Sequence, residues 1–277
     1  MATKTWFITG ASQGFGLIFI EQLLQKGDNV AATSRSLASL EKAAGTHPNL
    51  LGLEVNLTDE QSVKTAVDAT IAKFGRIDVV VNNAGYGLLG AVEELSDAET
   101  RQNFEVNVYG SLNVIRQALP YLREQGSGHI FNISSIGGFF GGFPGFGIYC
   151  ATKFAMAGFT EALAEEAKPF GIKTTLVLPG YFRTNFLESS SLATPKNALD
   201  AYSSVRESQR MHEIEINGNQ PGDPAKGVAE MIKIAEGDAA PLYLFLGTDA
   251  VDMAEKKLEL IKNEIETWRS VSSATNF

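Results

Sequence analysis

Tyr149 and Lys153 stand four residues apart in a helix-period segment, residues 149–168, so both side chains project from one face and reach one ligand. A free phenol has a pKa of about 10, too high for ready proton exchange at neutral pH. A neighbouring ammonium stabilises the phenolate and lowers that value, so the pair reads as a proton donor and acceptor. Alone the spacing means little, because exposed helix pairs at this separation are common. The preceding residues add weight. Residues 129–133 have strand character and run into Ser134-Ser135, hydroxyls able to polarise an oxygen. No G-x-S-x-G elbow and no suitably placed histidine accompany them, which disfavours a nucleophilic hydrolase.

The scaffold that must position these groups alternates along the chain. Strand patterns cover residues 5–9, 29–33, 50–55, 77–81, 129–133, 173–178 and 242–246. Helix patterns cover residues 15–26, 60–74, 98–119, 149–168 and 225–235, with a charged helix from about residue 249. Near-continuous β-branched runs joined by helices describe a parallel sheet buried on both faces. Their order implies one doubly wound α/β domain over residues 1–277, with helices on both faces and ligands at the carboxyl ends of the strands. Residues 182–222 break the alternation, being polar, serine-rich and weakly periodic. They are expected to lie over the substrate side as a loop or lid, against the bland reading of a disordered insertion.

The first strand runs into Thr9-Gly10-Ala11-Ser12-Gln13-Gly14-Phe15-Gly16, directly before a helix pattern. Gly10 suits the tight turn, Gly14 lets the backbone approach a pyrophosphate, and Gly16 lets helix and strand pack closely. The helix N-terminus then turns free N–H groups toward the phosphates. This is a Rossmann-type arrangement spaced G-x-x-x-G-x-G. A glycine turn by itself also serves plain tight turns; its place between strand and helix makes it a dinucleotide site. The second strand ends in Thr33-Ser34-Arg35-Ser36, where an NAD site carries an acid for the ribose hydroxyls. Ser34 and the Arg35 guanidinium suit a 2′-phosphate instead, so NADP(H) is the expected cofactor, the plain alternative being an exposed loop arginine. Asn82-Asn83-Ala84-Gly85 follows the fourth strand, where small residues let the backbone lie beside the adenosine half; the same tetrapeptide is also a good turn.

Taken in this order, the chain resembles the short-chain dehydrogenase/reductase family in its compact single-domain form. The resemblance rests on Thr9 to Gly16, Asn82 to Gly85, Asn107, Ser135, Tyr149-x-x-x-Lys153, and Leu178-Pro179-Gly180 with Thr184. It implies an oxidoreductase that interconverts a carbonyl and an alcohol by hydride transfer with NADP(H). It further implies that Tyr149 is the acid/base, that Lys153 lowers its pKa and holds the nicotinamide ribose, and that Ser135 positions the substrate oxygen. Asn107 then holds a water in a proton relay through Lys153; read on its own, it is a helix residue bonding nearby backbone. Pro179-Gly180, otherwise a turn, passes the nicotinamide, and Thr184 contacts its carboxamide. Two departures stand out. Asn56 occupies the place of a family aspartate that contacts adenine, with an amide oxygen still able to accept a hydrogen bond. The loop from Ser135 to Tyr149 is one residue longer than usual, which sets Ser134 against Ser135; strand alternation points the two apart, and Ser135 is the expected one.

Phe139, Phe140, Phe143 and Phe146 crowd the loop before Tyr149, and Phe182 and Phe186 follow Pro179-Gly180. An apolar pocket for an apolar or aromatic ketone, aldehyde or alcohol follows, with about half of these rings serving as plain packing. Small residues along 149–168 permit close helix approach, and family members pair through this helix, so a homodimer or homotetramer is expected. A net charge of −9 argues against nucleic acid and anionic membranes as partners, and no apolar run approaches the roughly 18 residues of a membrane span. The one cysteine, Cys150, excludes an intrachain disulfide and fits the cytoplasm. His47, His129 and His212 are expected at surface or loop positions, and none pairs at metal-ligand spacing, so no metal is expected. Two rivals keep the fold: a non-catalytic NADP-binding redox sensor, which has no need of an acid/base, and a dehydratase or epimerase, whose larger C-terminal domain the remaining chain is too short to form.

Overall fold

The computed structural model describes residues 3–277. Its strands are β1 (Thr5–Ile8), β2 (Asn29–Ser34), β3 (Leu50–Glu54), β4 (Val79–Asn82), β5 (Gly87–Leu88), β6 (Gly128–Ile133), β7 (Ile172–Pro179), β8 (Leu192–Ala193) and β9 (Tyr243–Leu246). The helices are α1 (Gly14–Lys26), α2 (Leu37–Ala44), α3 (Glu60–Phe74), α4 (Asp97–Phe104), α5 (Gly110–Gln125), α6 (Gly147–Ala167), α7 (Ser203–Arg210), α8 (Pro224–Glu236) and α9 (Thr248–Ser273). Seven strands form one parallel sheet in the order β3-β2-β1-β4-β6-β7-β9, while β5 and β8 pair apart from it. The chain builds outward from β1 to β3, then returns to place β4 on the other side of β1. That reversal opens a crevice at the carboxyl ends of β1 and β4.

Alternation along β1 divides the interior into two layers. Trp6 and Ile8 face α1 and α8, packing on Phe19, Leu23 and Met231; Phe7 faces α3, α5 and α6, packing among Val63, Val114 and Leu163. Both rings of Trp6 and Phe7 are fully buried, and loss of either costs about 3–5 kcal/mol. The sheet is thus covered on both faces, which is the doubly wound α/β architecture read from the sequence.

Local chemistry sets the element ends. Helix α3 spans the expected 60–74 because Asp59 accepts from Gln61 N at its start and Gly75 turns left-handed, at φ 80°, at its end. Helix α2 was not expected. It is short and rests on a Ser36 cap that accepts from Ser39 N. The single helix expected over 98–119 is two, α4 and α5, joined by a π-helical turn at Glu105–Tyr109 and extending to Gln125. A wider turn shifts the facing of every later residue, which a 3.6-residue period does not register.

Residues 182–222 are folded, not a disordered insertion. Within them β8 pairs with β5, and α7 is followed by a π-helical turn at Met211–Ile216. The wholly buried Glu94 carboxylate anchors the segment: it accepts from Ala91 N and Leu199 N, each at 2.7 Å, and meets Arg206 of α7 at 2.7 Å. Two histidines also depart from expectation. His129 lies buried in β6, its Nε2 2.9 Å from Thr175 Oγ1, and His212 is buried within the 182–222 segment, in its π-helical turn. An adjacent glycine suggested a loop at His129, and His212 was placed with it at the surface or in a loop, but strand pairing covers the first and tertiary packing the second. His47 is exposed.

Candidate active site

At the end of β1, Gly10 and Gly14 turn left-handed, with φ of 64° and 55°. A methyl group at Gly16 would lie 2.6 Å from the Gly10 carbonyl oxygen, so only glycine lets α1 start against the loop. Thr9 Oγ1 accepts from Asn83 N and Ala84 N, both at 3.0 Å, and Asn83 Nδ2 donates back to the carbonyls of Thr9 (2.9 Å) and Gly10 (3.0 Å). The Asn83 side chain is therefore a strut, and the backbone of Asn83 to Gly85 forms the wall.

That wall bounds a cavity of about 700 Å³. Gly10, Ser12, Gln13, Gly14 and Phe15 line it from the glycine turn; Ser34, Arg35 and Asn56 from the ends of β2 and β3; Ser135, Tyr149, Lys153, Pro179, Gly180 and Thr184 from the other side. Of the residues suggested by sequence, Gly16 and Asn107 do not line it: the first packs beneath the turn, the second behind Gly85. No carboxylate lines the cavity, whereas Arg35 and Lys153 supply positive charge. Arg35 is exposed and makes no ion pair among the described residues. Such a lining suits a polyanion. Asn56 corrects an expectation. Its Oδ1 already accepts from Thr58 N (3.2 Å) and Thr58 Oγ1 (2.9 Å), so the amide Nδ2 is what it offers a ligand.

At the other end, Tyr149 and Lys153 are both buried on α6. Lys153 Nζ donates to the Ile133 carbonyl at 2.8 Å and sits 5.8 Å from the centre of the Tyr149 ring. Burial lowers the Lys153 pKa to about 7. Burial also pushes the Tyr149 phenol well above its usual range, partly offset by a hydrogen bond with Ser135. The phenol therefore keeps a proton to give, and Lys153 is about half charged at neutral pH. Ser135 Oγ accepts from Gly137 N at 3.0 Å, whereas Ser134 Oγ donates to the Lys153 carbonyl at 3.0 Å and so braces α6.

Asn107 sits in the π-helical turn. Its Nδ2 donates to Tyr86 O (3.0 Å) and Thr152 Oγ1 (3.1 Å), and its Oδ1 accepts from Tyr86 N at 3.0 Å. A methyl group at Gly85 would lie 3.1 Å from Asn107 Oδ1 and 3.5 Å from Lys153 Nζ. Glycine therefore keeps open a space that the two polar groups share. Thr184 Oγ1 accepts from Phe186 N at 3.3 Å and starts a short 3₁₀ turn.

Phe143, Phe146, Phe182 and Phe186 line the cavity; Phe139 and Phe140 do not, and pack near Phe245 and Phe143 instead. Burial raises the Cys150 thiol to about 11, which leaves it an inert neighbour. Sequence reasoning missed Tyr181, His212 and Gln220, which line the same cavity. Tyr181 follows the Pro179-Gly180 turn and was within reach of a local argument; nothing local marks His212 or Gln220. Among the described residues no cluster of His, Cys, Asp or Glu could hold a metal, and no helix is long and apolar enough to cross a membrane.

The description "short chain dehydrogenase" belongs to a family model that matches residues 4–195. A 3-ketodihydrosphingosine reductase of Bacteroides thetaiotaomicron is 38% identical over 234 residues, 84% of each chain. A short-chain dehydrogenase structure from Streptomyces avermitilis superposes with a TM-score of 0.91 at 37% identity, covering 100% of both chains. ElxO, solved with NADP bound, is 26% identical with a TM-score of 0.74, covering 91% of this chain and all of its own.

The two serines make opposite demands on experiment. Ser135→Ala should lower turnover about 10²–10³-fold with the fold intact. Ser134→Ala should instead lower stability by about 0.5–1.5 kcal/mol, since it removes the buried hydrogen bond that braces α6 while the Lys153 carbonyl keeps its helical partner. Steady-state kinetics and thermal melts of both variants check this, and a reversed pattern would refute the assignment.

Proposed function

The chain belongs to the short-chain dehydrogenase/reductase family, and from that premise we propose that this oxidoreductase uses NADP(H) to interconvert an apolar or aromatic ketone or aldehyde and its alcohol. The family uses NAD(P)(H), and solved relatives hold either form. The observation that carries the finer reading is one cavity, free of carboxylates, with Arg35 at its β2 end and Tyr149, Lys153 and Ser135 at the other. When bound, the cofactor supplies or accepts the hydride. Gly10, Ser12, Gln13, Gly14 and Phe15 hold its pyrophosphate; Ser34 and Arg35 hold the 2′-phosphate; Asn56 and the backbone of Asn83 to Gly85 flank the adenosine half; Pro179, Gly180 and Thr184 flank the nicotinamide.

Tyr149 gives its proton to the substrate oxygen in reduction and takes it back in oxidation. Ser135 Oγ fixes that oxygen by a hydrogen bond. Lys153, steadied by the Ile133 carbonyl, lowers the phenol's proton affinity once charged and holds the ribose. Asn107, across the gap kept by Gly85, lies where a proton chain to Lys153 begins. The chain acts as one domain, with residues 182–222 as a lid over the substrate. Its small-residue α6 face, where Gly158 has nothing within 4 Å, packs against a second copy. The lone cysteine suits a cytoplasmic setting.

The test is NADPH oxidation against a panel of ketones and aldehydes. Tyr149→Phe should reduce kcat by about 10²–10⁴-fold while NADPH still binds. Arg35→Asp should raise KM for NADPH at least tenfold, as loss of a charge-assisted contact worth about 1.5–3 kcal/mol demands, and leave NADH almost unaffected. Cofactor binding with no turnover of any carbonyl would favour a sensor instead. Equal losses for the two cofactors would remove the NADP preference.

A further inference from the structure

Beside Tyr149 the apolar end of the cavity contains a polar pair with no part in proton transfer. Tyr181 Oη lies 2.9 Å from His212 Nε2, and His212 Nδ1 lies 2.7 Å from the Ser208 carbonyl oxygen. A carbonyl only accepts, so Nδ1 carries the ring proton. Burial lowers the His212 pKa, against the raising effect of the Ser208 bond, and keeps the ring neutral. Nε2 is then an acceptor, and Tyr181 must donate to it. Burial raises Tyr181 to about 12, so its proton stays in that bond. The Tyr181 oxygen is left with lone pairs alone.

Gln220 adds a second acceptor. It is 2% exposed, lines the same cavity, and its Oε1 has no partner. Arg183 Nη2 donates to the Gln220 carbonyl at 3.1 Å, and two residues on Gly222 N donates to Tyr181 O and Arg183 N to Gly222 O, each at 2.9 Å, which holds this segment beside the Tyr181 turn. The Phe146 ring lies 4.8 Å from that of His212 and 6.1 Å from that of Tyr149, so one aromatic ring separates the acceptors from the acid. A buried acceptor among phenylalanines disfavours any ligand that leaves it unpaired.

We propose that Tyr181, oriented by His212, and Gln220 form an acceptor subsite for a hydroxyl group, so that the preferred substrates are hydroxyketones. This rests on the assignment of Tyr149 as the acid that meets the carbonyl. The test compares kcat/KM for aryl ketones bearing a hydroxyl at successive carbons from the carbonyl with methyl analogues of nearly equal size and with the methoxy ethers, which can accept but not donate. Wild type should prefer one hydroxyketone at least tenfold, chiefly through KM. Tyr181→Phe should erase that preference. His212→Ala releases the Tyr181 proton, so the methoxy analogue should gain on the hydroxyl one. A preference unchanged in Tyr181→Phe, or no hydroxyl preference in wild type, overturns the subsite and leaves carbonyl reduction standing. Failure of wild type to reduce any ketone or aldehyde removes the underlying assignment instead.

Independently of the cavity, α9 presents an apolar face with nothing upon it. Val251, Leu258 and Ile265 recur every seven residues, with Ala254, Ile261 and Trp268 between them, in the a and d pattern of a coiled coil. Ala250 and Ala254 pack on the body, but from Leu258 onward every residue is exposed, Trp268 by 56%. At 1.5 Å per residue, the helix projects roughly 24 Å from there. Exposed apolar stripes of this kind mark interaction surfaces.

The flanking charges select the partner. Set antiparallel to itself about a twofold axis between Glu259 and Leu260, the helix places Leu258 opposite Ile261 and Trp268 opposite Val251, while Ile265 lies beside Val251 and Leu258 at the level of Ala254, whose own side chain packs on the body. Lys257 then meets Glu264, and Glu255 meets Lys262. A parallel pairing would instead oppose Lys257 and Lys262. Glu255, Glu259, Glu264 and Glu266 also make the helix ill-suited to an anionic bilayer. We infer that α9 pairs antiparallel with α9 of a second copy of this chain. With α6 as one interface and α9 as the other, wild type should be a tetramer by light scattering; Ile265→Glu should halve it to the α6-paired dimer, Lys257→Glu should do the same, and Lys257→Glu with Glu264→Lys should restore it. An unchanged mass in Ile265→Glu, or a double variant no better than Lys257→Glu, overturns the pairing. Binding of wild type to phosphatidylcholine vesicles, lost in Ile265→Glu, would assign the face to a bilayer and overturn it likewise.

Discussion

The Thr9 hydroxyl accepts two backbone N–H groups from the end of β4, and the Asn83 amide returns two bonds to the end of β1. Parallel strands that diverge at a reversal of order leave their last polar groups without ladder partners. This exchange satisfies them and fixes the width of the crevice. It also frees the loop backbone to form a wall, since the side chains that would fill the space are turned inward. The glycine turn, the Gly85 gap and the approach to Lys153 all take their positions from that exchange.

Within the crevice, burial and charge act in opposite directions. Removing Tyr149 and Lys153 from water disfavours the phenolate and the ammonium alike. Nothing anionic in the lining compensates. A lining without carboxylates and with Arg35 at its β2 end suits an anionic ligand.

Much of this was legible before the structure. Strand runs, the glycine turn and the cap-and-glycine ends of α3 are local signals, and they carried the fold and the family. Other features were legible only in part. Asn56 is followed two residues on by Thr58, a pattern that favours a local turn closed by the Asn56 side chain, and that bond competes with a ligand for the amide oxygen. The π-helical turn around Asn107 leaves the apolar pattern nearly intact, so periodicity could not reveal it. His212 and Gln220 lie in the least periodic part of the chain. Their burial depends on Glu94 and Arg206 holding α7 down, a contact between residues more than a hundred positions apart. No window of sequence contains it.

One carboxylate deserves a last consideration. Asp249, in the first turn of α9, accepts from Tyr181 N at 2.7 Å, and a methyl group at Gly180 would meet it at 2.3 Å. The turn that carries Tyr181 is therefore seated on the base of a stiff rod. Pull on the far end of that rod is transmitted to its base with little loss, because a helix resists bending over a few turns. The turn that carries Tyr181 and the exposed length of α9 are thus joined at a single residue, Asp249.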